Sequence, residues 1–319
     1  MSKDSDFSHI PVLFDECMEM LNIKPDGLYV DCTAGGGGHS MGILQRLSPK
    51  GTLVSLDKDD EALAVCRAKA EGHDNWIIVR SDFSEIREVL NRLNLDKADG
   101  ILADLGVSSH QIDTPERGFS YASDGPLDMR MDTTSELTAK IVVNTYPEDK
   151  LARIFKIYGE ERYSGRIAAG IVRDRKAKPF ETTLELASKI ASYVPSKARA
   201  EDQHPARRCF QAIRIEVNHE LSSVEKLLKD APDCLKDGGR IAVISFHSLE
   251  DRLVKESFRD LESPCTCPRD FPVCVCGKKS LGRVLTKKPV TAGDDEIKKN
   301  SRAHCCKLRV FERIGSEED

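Results

Sequence analysis

Ten residues, Asp31–Ser40, read Asp-Cys-Thr-Ala-Gly-Gly-Gly-Gly-His-Ser. They follow Gly27-Leu28-Tyr29-Val30, which has strand composition, and precede Met41–Leu47, which can form a helix. A strand, a glycine turn and a helix predict the opening unit of a nucleotide-binding sheet. Glycine lets the backbone approach a ligand closely, and a helix N-terminus presents unbonded N–H groups. Four glycines between an apolar strand and an amphipathic helix argue against a merely flexible surface loop.

The dehydrogenase pattern Gly-x-Gly-x-x-Gly does not close here. Gly35-x-Gly37 is followed by Ser40, and Gly36-x-Gly38 by Met41. Asp31 stands at the strand end, before the glycines. An acid there suits a ligand with an ammonium group rather than a pyrophosphate. That favours S-adenosylmethionine, whose methionine end carries an amine and a carboxylate.

The chain has 319 residues, enough for one large domain with an insertion or for two domains. With 39% hydrophobic and 32% charged residues it has the composition of a soluble globular protein. A net charge of −5 means that nucleic acid, if bound, must meet a local basic patch. No apolar run reaches membrane-spanning length, and the polar start Met1–Ser8 does not read as a signal peptide. Eleven cysteines in such a chain suggest reduced thiols in a cytoplasmic protein rather than a disulfide framework.

Along the chain, Val12–Leu21 puts Leu13, Cys17, Met18 and Leu21 on one helical face. Thr52–Asp57 is an apolar strand ending in a carboxylate. An acid about twenty residues past the glycines is placed to accept from both hydroxyls of a ribose; the competing role is an N-cap for the helix near Asp59. Asn75–Arg80 is a third strand. Phe83 follows it and begins a helix with Ile86, Val89, Leu90 and Leu93 inward, so its ring serves either the core or an adenine face. Ala98–Asp104 is the fourth strand. Strands alternating with helices predict a doubly wound, Rossmann-like α/β sheet.

Between Gln111 and Arg214 strand-like runs vanish. Helical segments are expected at Glu136–Tyr146, Glu148–Tyr158, Glu160–Lys176 and Thr182–Tyr193, broken by Pro147, Gly159, Pro179 and Pro195. Arg117–Asp132 has no period and reads as a structured loop. The sheet resumes with a helix over Asn218–Leu235, a strand over Gly239–Phe246, His247 at that strand's carboxyl end, and a last strand over Cys305–Arg313 closing the sheet. The expected organisation is a discontinuous sheet domain, 1–112 with 215–319, and an all-helical insertion, 113–214, for RNA recognition.

Eight stretches in this order carry a family resemblance: His9–Leu13, Gly35–Ser40, Leu102–Ser109, Glu116–Ser120, Gly125–Asp132, Tyr158–Arg162, Phe210–Arg214 and Ser245–Arg252. Across nearly its whole length the chain resembles the RsmH (MraW) family of bacterial 16S ribosomal RNA cytosine-N4 methyltransferases. The resemblance implies a class I S-adenosylmethionine fold with a helical insertion. It also implies methylation of the N4 amine of one cytidine near the P site of the small ribosomal subunit. By the same resemblance Gly37, Gly38, His39, Asp57, Phe83, Asp104 and Gln111 contact S-adenosyl-L-methionine, and each position holds the family's residue. The partner implied is 16S ribosomal RNA within the small subunit, in the cytoplasm. No membrane or DNA partner is expected, and oligomerisation is left open.

The chemistry adds one role. A cytosine amine is a poor nucleophile because its lone pair is delocalised into the ring. An acceptor for its hydrogens helps to localise that pair and stabilises charge developing on nitrogen. Asp104, at the end of the fourth strand, is the expected catalytic acceptor. The aromatic wall that many amino-methyltransferases carry after this strand is missing from Asp104-Leu105-Gly106-Val107 and must come from elsewhere. A cytosine C5-methyltransferase would need a cysteine nucleophile, and neither Asp104–Ser109 nor Ser245–Ser248 contains one. The remaining alternatives are a methyltransferase for another RNA cytosine and a non-catalytic ribosome-binding module; the intact glycine turn with Asp57 argues against the latter.

Two further features stand out. Cys265, Cys267, Cys274 and Cys276 form two Cys-x-Cys pairs that leave a zinc clamp open, a weaker signal than Cys-x-x-Cys; no metal ligand is assigned from the spacing. Lys197, Arg199, Arg207, Arg208 and Arg214, against Glu201 and Asp202, with Lys176, Lys178, Arg117 and Arg130, suggest a basic wall for phosphates beside the methyl-donor pocket.

Overall fold

The computed structural model describes residues 11–196, 204–268, 273 and 275–315. His9, Ile10, Lys197, Arg199, Glu201, Asp202, Cys274 and the acidic tail lie outside the described residues. The chain divides into two compact units, 1–106 with 222–319, and 107–221.

In chain order the elements are α1 (Phe14–Leu21), β1 (Leu28–Asp31), α2 (Gly38–Leu44), β2 (Thr52–Asp57), α3 (Asp60–Lys69), β3 (Trp76–Arg80), α4 (Ile86–Arg92) and β4 (Ala98–Asp104). Then come α5 (Ser109–Asp113), α6 (Ala139–Thr145), α7 (Glu148–Ile157), α8 (Ser164–Asp174), α9 (Thr183–Tyr193), α10 (Arg207–Asn218) and α11 (Glu220–Asp230). The chain closes with β5 (Leu235–Ser245), α12 (Ser248–Glu262), β6 (Gly282–Val284), α13 (Asp294–Lys299) and β7 (Lys307–Arg313).

The strands make one sheet in the order β3-β2-β1-β4-β5-β7-β6. The first five are mutually parallel, and β7 runs antiparallel to both β5 and β6. β1 is central, with Val30 level with Val54 of β2 on one side and Ile101 of β4 on the other. The strand order reverses at β1, so the crevice beyond the carboxyl ends of β1 and β4 is where an open α/β sheet holds its ligand. Both faces are buried. Val30, Val54, Leu56 and Ile101 pack one way with Ile86 of α4 and Leu227 of α11. Their alternates Tyr29, Leu53 and Leu102 pack the other way with Leu21 of α1 and Ile43 of α2.

The helical unit has its own core, in which Val142, Leu151, Phe155, Ile167, Ile171, Ile190, Phe210 and Ile213 are buried together. Thr138 and Thr182 cap α6 and α9 through their side-chain oxygens, which accept from Ile141 and Glu185. The aperiodic loop is ordered by side chains rather than by a ladder. Asn218 donates to Met129 O at 2.8 Å and accepts from Met131 N at 2.7 Å. Gly118 sits at φ 71°, where a Cβ would fall 2.0 Å from Pro126 O. No other residue type fits that crossing.

Three sequence expectations need correction. The helix read over Asn218–Leu235 is broken at His219, which adopts the left-handed region at φ 53° and ends α10. Leu235 is the first residue of β5, not the last inward position of a helix. Finally, Cys305 lies in a 3-10 turn before β7, and the edge strand is the three-residue β6, too short to show a period.

Candidate active site at the carboxyl edge of the sheet

The glycine turn runs from the end of β1 into α2, which starts inside the glycine run. Gly37 has φ 75°, and a Cβ there would lie 3.3 Å from Cys66 Sγ and 3.5 Å from the Trp76 ring. Gly38 is tighter: its Cβ would fall 2.3 Å from Pro11 Cγ. The turn's carbonyls are held from α3, Gly36 O accepting from Lys69 Nζ at 2.6 Å and Gly35 O from the Cys66 thiol at 3.5 Å.

Asp57, the last residue of β2, accepts from Gly35 N at 2.8 Å and from Asp59 N at 2.9 Å. Burial pushes its carboxyl upward, and these two N–H groups pull it back. The competing role is resolved: Asp59, not Asp57, caps α3, accepting from Glu61 N. Asp57 therefore ties the glycine turn to β2, and a carboxylate has lone-pair capacity beyond those two bonds for a ribose diol. Phe83 opens a 3-10 turn at the end of β3 and is half-buried against the core, with ring surface left exposed.

Asp31 is not open to a ligand amine as the sequence suggested. It has no exposed surface. Its oxygens accept from Thr33 N at 3.1 Å and Ser40 Oγ at 2.6 Å, and burial pushes its carboxyl up to about 6. A polar chain continues from Ser40 to Ser55 Oγ at 2.8 Å, which also takes the Trp76 indole N–H at 2.8 Å. Sequence reading missed this chain beneath the turn; the one signal was a serine inside the apolar strand Thr52–Asp57.

Asp104 ends β4, and its backbone N–H donates to Thr33 Oγ1 at 2.7 Å, fixing it beside the turn. Its Oδ1 is buried without a hydrogen-bond partner. Its Oδ2 lies 3.7 Å from His39 Nδ1. Burial, then the carboxylates of Asp31 and Glu250, push Asp104 up to about 8. His39 is 5% exposed, and burial brings its imidazole down to about 4, so it is neutral at pH 7. With its Nε2 donating to Val12 O at 3.1 Å, the Nδ1 lone pair is left facing Asp104.

Gln111 belongs to the helical unit. There it completes the capping box of α5, its Oε1 accepting from Ser108 N at 3.0 Å. His247 is the N-cap of α12, boxed with the buried Glu250, and its Nε2 lies 3.1 Å from Glu250 Oε1. That is a structural use of a residue at the ligand edge of the sheet. Beside it, Phe246 Cδ2 comes within 3.7 Å of a Cβ built on Gly106, whose φ is 98°. The Phe246 ring is half-buried there.

The basic group resolves into two kinds. Arg117 is buried and donates to Arg130 O and Met131 O. Arg130 forks onto Asp128 at 2.7 and 2.9 Å, and Arg214 forks onto Glu220 at 2.8 and 2.9 Å. These three hold the fold, so the expected wall loses them. Arg207 and Arg208 open α10, with Arg208 exposed and Lys176 exposed after α8. Lys178 pairs with Glu185 at 2.9 Å.

The donor set fits S-adenosylmethionine. Asp31, Asp57, Asp104 and Glu250 gather carboxyl groups, three of them held above their usual range, and one oxygen among them is an orphan. A ligand carrying positive charge and N–H groups relieves both the repulsion and the missing hydrogen bond.

The sequence profile of the MraW methylase family matches residues 6–314. The ribosomal RNA small subunit methyltransferase H of Carboxydothermus hydrogenoformans is 57% identical over 310 residues, covering 97% of this chain and 99% of that protein. The protein of the same name from Caldicellulosiruptor saccharolyticus is 56% identical over 309 residues, covering 97% of this chain and 100% of its own length. That from Clostridioides difficile is 50% identical over 310 residues, with 97% and 100% covered.

Proposed function

Because the chain belongs to the MraW methylase family, we propose that it methylates N4 of one cytidine in 16S ribosomal RNA, near the P site of the small ribosomal subunit. The coarser statement stands by itself: the chain is an S-adenosylmethionine-dependent ribosomal RNA methyltransferase. The cytidine and its place in the subunit rest on the family resemblance. The observation that carries the chemistry is the buried, unpartnered Oδ1 of Asp104 at the ligand edge of the sheet.

When bound, S-adenosylmethionine supplies a methyl group already activated on a sulfonium. The chain's residues do the rest. Asp57 accepts from the ribose diol, Phe83 covers one adenine face, and Gly37 and Gly38 give the backbone room to close on the ligand. Gln111 is a further proposed contact, by family resemblance. Most of the barrier reduction comes from alignment, since the electrophile is strong and the amine must only be brought into line at contact distance. Asp104 accepts from the exocyclic amine, which draws electron density onto N4. When N4 takes the methyl group it must shed a proton; burial, Asp31 and Glu250 raise the Asp104 carboxyl in the ligand-free chain, and a bound cation draws it into the carboxylate form that accepts the proton. Phe246 supplies a face on which the base stacks once it has been unstacked from the RNA. The helical unit grips phosphates around that cytidine through the start of α10, supplying affinity more than base choice.

Mass mapping of methylated nucleosides in 16S ribosomal RNA from a strain lacking the protein tests this reading. The expected result is loss of one N4-methylcytidine signal, restored by the wild-type gene. An unchanged map refutes the proposed cytidine.

A further inference from the structure

The connection between α12 and β6 is the one well-marked sequence feature that methyl transfer does not use. Its base is closed: Leu281 N donates to Leu261 O at 2.9 Å, and Val284 N donates to Glu262 Oε1 at 2.8 Å. Beyond that base, hydrophobic side chains among its described residues stand in solvent. Val273 is 69% exposed and Val275 72% exposed. Yet Cys265, Cys267 and Cys276 come together there, with their sulfur atoms within 4.8 Å of one another. A tetrahedral zinc site with Zn–S bonds of about 2.3 Å sets its sulfurs about 3.8 Å apart, so little closure is needed. The backbone N–H of Val275 also donates to Cys267 Sγ at 3.4 Å. Such a bond orients the sulfur.

We propose that Cys265, Cys267 and Cys276 bind one zinc ion, which holds the α12–β6 connection in its fold. Soft thiolates converging from a twelve-residue stretch select zinc over the hard cations magnesium and calcium. Each thiol gives up a proton on binding, and no oxidant is involved. A fourth ligand from outside these three completes the tetrahedron. The site lies by the β6 edge of the sheet, with β7, β5, β4 and β1 between it and the strand that carries Asp57, so it plays no part in holding the methyl donor.

The test uses the full chain, purified without chelator or polyhistidine tag and dialysed against metal-free buffer. Elemental analysis is expected to give about one zinc per chain. Cobalt in its place should give thiolate charge-transfer absorption and the intense visible bands of a tetrahedral site. C265S, C267S and C276S should each weaken zinc binding by at least about a hundredfold, beyond the 10–100-fold typical of outer-shell partners. C305S, at an exposed thiol outside the cluster, should leave zinc content unchanged. Chelator should open the 263–281 connection to limited proteolysis, and added zinc should protect it again, with S-adenosylmethionine affinity constant throughout. Wild-type protein without zinc, a disulfide among these cysteines, or zinc retained at full occupancy in all three variants would each overturn the proposal.

Discussion

In the sheet unit, Asp104 Oδ1 is buried with nothing to bond, and burial together with like charges pushes the carboxyl up to about 8. In the helical unit, Asn218 is buried too, but its amide reaches Met129 O, Arg214 O and Met131 N. The contrast extends further. Among the described residues, the buried side-chain atoms that make no hydrogen bond of good geometry are Arg87 Nε, Asp104 Oδ1 and His247 Nε2, the last facing Glu250 Oε1 at 3.1 Å, all in the sheet unit. Buried polarity in the helical unit specifies a loop, whereas part of that in the sheet unit is kept open at a cost in stability. A buried acceptor without a partner costs about 1–3 kcal/mol, which a protein tolerates where a ligand supplies the missing donor.

The sharpest way to break this comparison is Asp104→Asn. At saturating cofactor its single-turnover methyl-transfer rate should fall by about a hundredfold or more, the usual loss when one group aimed at developing charge is removed. A normal rate with weaker cofactor binding would leave Asp104 a cofactor ligand only. The same variant should be more stable than wild type at pH 8. Asp104 has a folded-state value above its unfolded one, so its contribution is intact at low pH and is lost as pH rises from about 4 toward 8. Asparagine cannot ionise and escapes that loss. Thermal unfolding of ligand-free protein at pH 5 and pH 8 checks the sign. His39 behaves oppositely: its value is depressed, so its contribution is present above about 6.5 and is lost as pH falls toward about 4.

A next test is Asp57→Ala, which should weaken S-adenosylmethionine binding about tenfold to several hundredfold, since a bond to a charged acceptor contributes roughly 1.5–3 kcal/mol. Part of any stability loss will come from Gly35 N, which also bonds this carboxylate. Calorimetry showing unchanged affinity would remove Asp57 from the site.

For the helical unit the expected effect is on stability. Asn218→Ala strips partners from Met129 O and Met131 N and should cost about 1–3 kcal/mol in denaturant unfolding. A change near zero would mean that water replaces the amide and that the two units do not differ as described.

The smallest effect concerns charge. Arg207→Ala with Arg208→Ala should weaken binding of 16S ribosomal RNA or the small subunit and reduce the salt slope by up to about two units, leaving cofactor affinity unchanged. A wild-type slope would move RNA recognition elsewhere in the helical unit.

The legible parts of the molecule share one property: their signal is local. The strand ending at Asp57, the glycine turn and the helices of 148–157 and 183–193 are written in periodicity, propensity and caps within a few residues. Even α10 was hidden only because its charged start, Arg207-Arg208, reads as a patch before it reads as a helix.

What the tertiary structure decided is who partners whom. By itself the sequence determined the order of the first four strands, the acids that end β1, β2 and β4, and the glycine turn after β1. It did not determine that Asp31 would spend its oxygens on Thr33 and Ser40, or that Arg214 would be taken by Glu220. It left equally open that His247 would cap a helix and that three cysteine sulfurs would meet. The reason is physical. An arginine or a carboxylate carries the same bonding capacity wherever it stands. Only the packing of distant strands and helices fixes which groups lose water together, and hence which are satisfied and which are left waiting for a ligand.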